Sequence, residues 1–194
     1  MNLQAILGNF ALILFVLTIL TGVIWFLDVF YLAKQRRAFD WLCGHSVNAK
    51  GVFFCMQAVA REMVKRKEGK IINIASIAGK GFRGTSNISY AGSKGAVIAM
   101  TRIGASQLAR YNINVNAINP GATRTELYDR VMKEIVEREK ITEAEAMARM
   151  DASIPLRRSN SGDDIANMAA FLASDEARNI TGQSFNVDGG LMWD

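Results

Sequence analysis

The sequence predicts an α/β fold in which helices flank a parallel sheet, preceded by one N-terminal transmembrane helix. Three observations lead to this prediction: a long apolar segment near the N-terminus, an alternation of helical and strand patterns after it, and a length of 194 residues, which suits one ordinary domain. Alternating strands and helices indicate a parallel sheet covered by helices. We expect a membrane anchor with a basic juxtamembrane segment over residues 1–37, and an α/β domain over residues 38–194.

The N-terminal segment has the length and composition of a membrane span. Residues 1–27 contain no acidic or basic side chain, and residues 10–27 form an apolar stretch of 18 residues, about the minimum for a bilayer-crossing helix. Basic residues follow at positions 34, 36 and 37, so the positive-inside rule places the N-terminus outside and the remainder in the cytoplasm. A buried core helix is the alternative. The predicted anchor is residues 10–32, and the basic start and small-residue cleavage site of a signal peptide are absent.

The middle of the chain alternates between helix and strand. Apolar residues at helical spacing predict a helix over residues 49–66. Residues 70–76 are rich in β-branched side chains and predict a short, buried strand. A second helix is predicted over residues 89–110, and a second strand over residues 113–119, which a Pro-Gly pair ends.

The C-terminal part adds further helices and one strand. Residues 126–150 are charged and helix-prone with few signs of a continuous core face, which predicts a mobile lid. The segment from Ser161 to Asp164 resembles a capping box that opens a helix through about Ser174. Residues 183–187 predict the final strand.

Composition excludes several classes of function. The net charge of +5 is not a nucleic-acid signal, because the basic cluster at residues 65–70 suits the solvated end of a helix. Cys43 and Cys55 have neither metal-ligand spacing nor a disulfide framework, and His45 has no evident partner. We therefore expect no nucleic acid partner and no metal site.

The chemistry-bearing pattern is a tyrosine and a lysine four residues apart. Tyr90 and Lys94 lie on one face of the predicted helix, and Ser76 ends the strand before it. A tyrosine has an ordinary pKa of about 10, and a nearby ammonium favours its phenolate. This arrangement suits proton transfer to a ketone during hydride reduction. The Tyr-x-x-x-Lys spacing alone is common on surface helices, but its position after a buried strand bearing serine favours the catalytic interpretation.

The charge distribution supports a site for an anionic cofactor. Between Glu68 and Glu126 there is no acidic residue, whereas seven are basic: Lys70, Lys80, Arg83, Lys94, Arg102, Arg110 and Arg124.

Over residues 39–194 the chain resembles the short-chain dehydrogenase/reductase family. The resemblance rests on five motifs in order, which run from Asn48 to Phe53, from Ile71 to Ser76, from Tyr90 to Lys94, from Asn119 to Thr125, and over Thr181-Gly182-Gln183 with Asp188-Gly189-Gly190. It implies that Asn48 holds a water molecule of the proton relay and that Ser76 holds the substrate oxygen. It further implies that Tyr90 transfers the proton and that Lys94 binds the ribose. It also implies contacts with the nicotinamide end from Pro120, Gly121, Thr123 and Thr125.

The resemblance further implies NAD or NADP as cofactor and an alcohol or ketone substrate of the polyol–ketose or 3-oxoacyl type. It implies association of copies through the helices at 49–66 and 89–110. The family's glycine-rich pyrophosphate loop does not occur, so the expected sheet is a truncated Rossmann-like one. Gly79 to Gly84 spells G-x-G-x-x-G, but no helix opens directly after it and no acid follows about 20 residues on. It is interpreted as a flexible loop.

Residues 1–37 resemble the first membrane helix of bacterial signal peptidase I. The serine–lysine catalytic domain of that enzyme has no counterpart here, so proteolysis is not implied. Three hypotheses follow. The first is an oxidoreductase fragment anchored in the inner membrane, the second a catalytically inactive, membrane-anchored fusion or misassembled product, and the third a signal peptidase-related protein.

Overall fold

The computed structural model describes residues 45–82, 84 and 87–193. The chain divides into two units, Met1–Cys43 and Gly44–Asp194, and the described residues belong to the second. The predicted membrane segment and the boundary between residues 37 and 38 lie outside the described residues. Within the described ranges, no helix is both long and apolar enough to span a bilayer.

The described strands form one parallel sheet. Their order is β1-β2-β3, and the strands are β1 (Gly69–Ile74), β2 (Ile113–Pro120) and β3 (Ser184–Val187). Ile74 pairs with Ile118, and Pro120 pairs with Val187. The parallel sheet is therefore confirmed, and the strand positions agree with the predicted ones within about two residues.

Helices connect the strands as the crossovers of a parallel sheet require. The five described α-helices are α1 (Gly51–Arg66), α2 (Ile88–Leu108), α3 (Glu126–Glu139), α4 (Glu143–Ser153) and α5 (Gly162–Ala173). A π-helical turn, His45–Lys50, leads directly into α1. The helices predicted over 49–66 and 89–110 are confirmed, and so is the capping box at Ser161 and Asp164.

Both faces of the sheet are covered. On one face, Ile71, Ile113 and Val115 pack with Ala105 of α2 and with apolar side chains of α1. On the other, Ile118 packs against α5. β2 is buried although it alternates apolar residues with Asn114, Asn116 and Asn119, and Asn116 Nδ2 donates to the Ile180 carbonyl at 2.8 Å.

The segment 126–150 forms two helices with a core of their own, and its role as a mobile lid stays a prediction. α3 and α4 enclose Tyr128, Met132 and Ala146, which are 7%, 1% and 3% exposed. α3 has an apolar face at helical spacing, over positions 128, 131, 132, 135 and 136, and this face forms most of the cluster. Thr142 and Glu145 form a capping box at the start of α4.

Candidate active site

Ser76 lies just beyond β1 at the carboxyl end of the sheet. Its backbone is extended, and its Oγ accepts a hydrogen bond from the Ala78 N–H at 3.1 Å, which opens a 3₁₀ turn over Ile77–Lys80. The residue is only 9% exposed. In open parallel sheets, ligands bind outside the carboxyl ends of the strands. Ser76 therefore stands where such a ligand would lie.

The first turns of α2 bring Tyr90 and Lys94 to the same place. Asn87 caps the helix by accepting the Tyr90 N–H at 2.8 Å. The Lys94 ammonium lies 5.8 Å from the centroid of the Tyr90 ring, within cation–π range, so the two side chains share a face of the helix. Lys94 Nζ also donates to the Ile74 carbonyl at 2.9 Å, two residues before Ser76.

The electrostatic setting of Lys94 is unusual for a lysine. Burial lowers the pKa of its ammonium, because desolvation disfavours the charged form. No acidic residue occurs between Glu68 and Glu126 to offset this effect from nearby in the sequence. An ammonium in this setting is therefore suited to hydroxyl or carbonyl partners.

Asn48 reaches the same helix from the π-helical turn. Its Nδ2 donates to Ser93 Oγ at 3.1 Å, and Ser93 Oγ donates to the Tyr90 carbonyl at 2.8 Å. Ser93 is fully buried. π-helical turns are rare and occur frequently at functional sites. Ser93 lies between Tyr90 and Lys94 in the sequence, and the spacing of these two residues does not indicate its hydrogen bonds.

The first glycine of the G-x-G-x-x-G segment packs against α2. A Cβ at Gly79 would lie 2.6 Å from the Lys94 carbonyl carbon and 2.7 Å from the Gly95 nitrogen. The backbone of the turn thus rests directly on the backbone of the helix. This contact gives Gly79 a packing role and agrees with rejecting the segment as a phosphate loop.

Pro120 is the last residue of β2, the strand beside β1, and Gly121, Thr123 and Thr125 follow it. Thr123 Oγ1 donates to the Gly121 carbonyl at 3.1 Å. Thr125 caps α3, so its hydroxyl is already engaged in holding that helix. A Cβ at Gly121 would lie 2.6 Å from the Asp188 Cβ, so glycine allows the closing turn to pack here. The adjoining strand ends bring this segment and the Ser76 segment to one edge of the sheet.

Residues 32–192 match the family described as "Enoyl-(Acyl carrier protein) reductase". The chain is 40% identical over 157 residues to sorbitol dehydrogenase of Cereibacter sphaeroides, covering 80% of this chain and 60% of that protein. It is 40% identical over 162 residues to the 3-oxoacyl-[acyl-carrier-protein] reductase FabG of Thermotoga maritima, covering 83% and 61%. A short-chain type dehydrogenase/reductase from Mycobacterium ulcerans superposes with a TM-score of 0.66 at 34% identity, covering 78% of this chain and 51% of that one. The chain belongs to the short-chain dehydrogenase/reductase family.

Among other solved structures, sorbitol-6-phosphate 2-dehydrogenase SrlD from Erwinia amylovora matches with a TM-score of 0.75 and 30% identity, covering 83% of this chain and 63% of that one. The chain thus spans about 60% of the length of the curated relatives named above. The family match begins at residue 32. The resemblance of residues 1–37 to signal peptidase I therefore stays a prediction.

Sequence reasoning missed three polar residues of this candidate site. Ser93 is one. The second is Asn87, which could have been recognised from the sequence because asparagine is a preferred residue at the N-cap of a helix. The third is Asn160, whose Nδ2 donates to the Val187 carbonyl at 2.6 Å and to Thr123 Oγ1 at 3.4 Å. Asn160 links the segment after β2 to the end of β3 and lies in an irregular stretch without any periodic signal.

Proposed function

We propose that this chain takes part in an NAD(P)-dependent oxidoreductase reaction that interconverts a secondary alcohol and a ketone. The observation that carries the proposal is the connected group of polar side chains at the carboxyl end of the sheet. Asn48, Ser93 and the Tyr90 carbonyl form one hydrogen-bonded chain, and Lys94 lies beside the Tyr90 ring. Ser76 ends the neighbouring strand.

The proposed role of each side chain is the one that the family resemblance implies, and the contacts described above support it. Tyr90 transfers the proton to or from the substrate oxygen, and the nearby Lys94 ammonium stabilises the phenolate that remains after transfer. Ser76 holds the substrate oxygen through its hydroxyl. Asn48 places a water molecule that returns protons to the site. The nicotinamide cofactor, when bound, supplies or accepts the hydride.

The donors at the site fit the ribose and nicotinamide end of such a cofactor. The Lys94 ammonium has three N–H donors, and the structure shows one of them on the Ile74 carbonyl. Ribose hydroxyls are suitable partners for the others. Lys94 and Tyr90 would hold the ribose, and the segment from Pro120 to Thr125 would meet the carboxamide. NAD and NADP are both compatible with these residues.

The relatives suggest the substrate class. Sorbitol dehydrogenase acts on a polyol by its name, and FabG is named as a 3-oxoacyl-[acyl-carrier-protein] reductase. We propose a polyol–ketose pair or a 3-oxoacyl thioester as substrate.

The test combines cofactor binding with turnover. Purified full-length chain is titrated with NADH and with NADPH, and nicotinamide fluorescence is recorded at micromolar protein. Binding of either cofactor is expected, together with turnover of a sorbitol, xylitol or 3-oxoacyl thioester panel. Tyr90→Phe should lower kcat by about 10²-fold or more, because it removes the acid–base group.

Tyr111→Phe is the matched control, since Tyr111 packs against the core cluster at the far end of α2 and should keep full turnover. If neither cofactor binds, the oxidoreductase proposal fails. The alternative of a catalytically inactive, membrane-anchored product is then favoured.

We also propose that residues 10–32 anchor the chain in the inner membrane, with the N-terminus outside and the dehydrogenase part in the cytoplasm. Support comes from the apolar composition of this segment and the basic residues after it. Carbonate extraction of membranes and protease accessibility of the two ends test the proposal. Release of the chain by carbonate would contradict it.

Association of copies through α1 and α2 is a further part of the proposal. Phe53 and Phe54 of α1 are 48% and 52% exposed, and Ile103 of α2 is 61% exposed. Exposed aromatic and aliphatic side chains on neighbouring helices are typical of an interface. Sedimentation velocity should show a dimer or larger species that Phe54→Glu weakens. A monomer at all concentrations would contradict this part.

A further inference from the structure

Ser93 occupies the junction between the π-helical turn and the first turns of α2. Its side chain is 0% exposed, and its hydroxyl makes two hydrogen bonds. It donates to the Tyr90 carbonyl at 2.8 Å and accepts from Asn48 Nδ2 at 3.1 Å. A serine in a helix commonly donates to a carbonyl of the preceding turn, which leaves its lone pairs for an acceptor role. Here the Ser93 oxygen accepts the hydrogen bond that the Asn48 amide donates.

The π-helical turn that contains Asn48 gives this bond its importance. A π-helical turn is rare and is less regular than the α-helix that follows it. The position of Asn48 is therefore not set by helical geometry alone. Its amide is fixed by a hydrogen bond to a residue 45 positions later in the chain. The same hydroxyl also contacts the backbone of Tyr90, so one side chain is bonded to both residues.

α2 contains a second buried hydroxyl of the same kind at a different place. Thr101 Oγ1 donates to the Val97 carbonyl at 2.8 Å and accepts from Asn73 Nδ2 at 2.9 Å. Thr101 is also 0% exposed. It ties α2 to β1 instead of to the π-helical turn, and it lies seven residues beyond Lys94. The chain thus offers its own matched control for the loss of a buried hydroxyl.

We propose that Ser93 is a positioning residue that holds Asn48 in register with Tyr90. Ser93 does not itself touch the reacting atoms. It fixes the amide of one candidate catalytic residue to the backbone of another, across two elements that are distant in sequence. The consequence for turnover rests on the proposed function, whereas the consequence for the geometry of Asn48 does not.

The first test is spectroscopic and needs neither cofactor nor substrate. The side-chain amide signals of Asn48 are assigned in the ¹⁵N-labelled full-length protein. Ser93→Ala should shift these signals and the backbone amide signals of residues 90–94. Thr101→Val removes the other buried hydroxyl and should leave both sets in place. Unchanged Asn48 signals in Ser93→Ala, or equal shifts in Thr101→Val, would overturn the proposal.

The second test uses kinetics where the wild-type chain turns over substrate. Ser93→Ala should lower kcat by roughly ten- to a hundred-fold with KM unchanged, because the reacting groups are misplaced while binding is retained. Thr101→Val should keep kcat. An equal fall of kcat in both variants would refute the positioning role. Absence of turnover in the wild type would count against the proposed function alone, because the amide signals still decide the role of Ser93.

A third variant covers the case in which Ser93→Ala does not fold. Ser93→Cys keeps the volume and a weak hydrogen-bonding capacity, so the junction should stay filled. Its Asn48 amide signals should move more than those of Thr101→Val, because a thiol sulfur is a weaker hydrogen-bond acceptor than a hydroxyl oxygen. Wild-type signals in Ser93→Cys would contradict the proposal.

Discussion

Replacing Gly79 by alanine should separate the turn after β1 from α2. A Cβ at this position would lie 2.6 Å from the Lys94 carbonyl carbon, 2.7 Å from the Gly95 nitrogen and 2.9 Å from the Lys94 oxygen. Favourable carbon–carbon contacts begin near 3.5 Å, so the two backbones must move apart by about 1 Å. Both sides of the contact are main chain, so no flexible side chain can relieve it. Overpacking of this kind costs about 1–3 kcal/mol of folding free energy.

Urea unfolding followed by circular dichroism measures this loss. Gly51→Ala is the matched control, because a Cβ at Gly51 meets nothing within 4 Å. Alanine has the higher helix propensity, so Gly51→Ala should raise the free energy of unfolding by up to about 1 kcal/mol. If Gly79→Ala were as stable as Gly51→Ala, the direct contact between the turn and the helix would be wrong.

Two further predictions concern Lys94 and the pair of helices α3 and α4. Burial lowers the pKa of Lys94 below its ordinary value of 10.5, so the unfolded chain holds this proton to higher pH than the folded protein does. Burial of the charged ammonium therefore lowers the free energy of unfolding below the folded-state pKa, and this destabilisation disappears as pH rises towards 10.5. The free energy of unfolding of the wild type should therefore rise relative to that of Lys94→Met over this pH range. Urea titrations at a series of pH values measure it, and a difference that does not change with pH would contradict the burial of Lys94. Met132→Ala should cost about 2–5 kcal/mol locally, since Met132 is 1% exposed in the cluster between α3 and α4. Hydrogen exchange should then accelerate in these two helices while β2 keeps its protection, and uniform acceleration would show that the cluster is not separate.

Much of the fold could be predicted because its signals are local. β1 and β2 each carry three β-branched apolar residues, and the helix predicted after Ser161 begins with a capping box. The core between α3 and α4 could not be predicted in this way. α3 repeats apolar side chains at helical spacing, but their packing partner is α4, and no local pattern indicates that the two helices face each other.

The candidate site likewise combines features that local sequence patterns predict with features that they do not. The spacing of Tyr90 and Lys94 predicts their common face, because helical geometry relates residues four apart. The bond between Asn48 and Ser93 joins residues 45 positions apart, and no local pattern indicates it. The engagement of Thr125 as a helix cap was likewise not foreseen, because the same hydroxyl suits both a ligand contact and a cap.

The carbonyl that accepts the Lys94 ammonium faces away from the rest of the described sheet. Ala75 N–H donates to the Ile118 carbonyl at 2.8 Å, and successive residues of a strand direct their polar groups to opposite sides. The Ile74 carbonyl therefore points outward from β1, where a further strand would find its hydrogen-bond partners. Any polypeptide pairing along that margin would compete with the ammonium for this oxygen. The hydrogen bond of Lys94 and the addition of a strand beside β1 thus depend on the same backbone oxygen, that of Ile74.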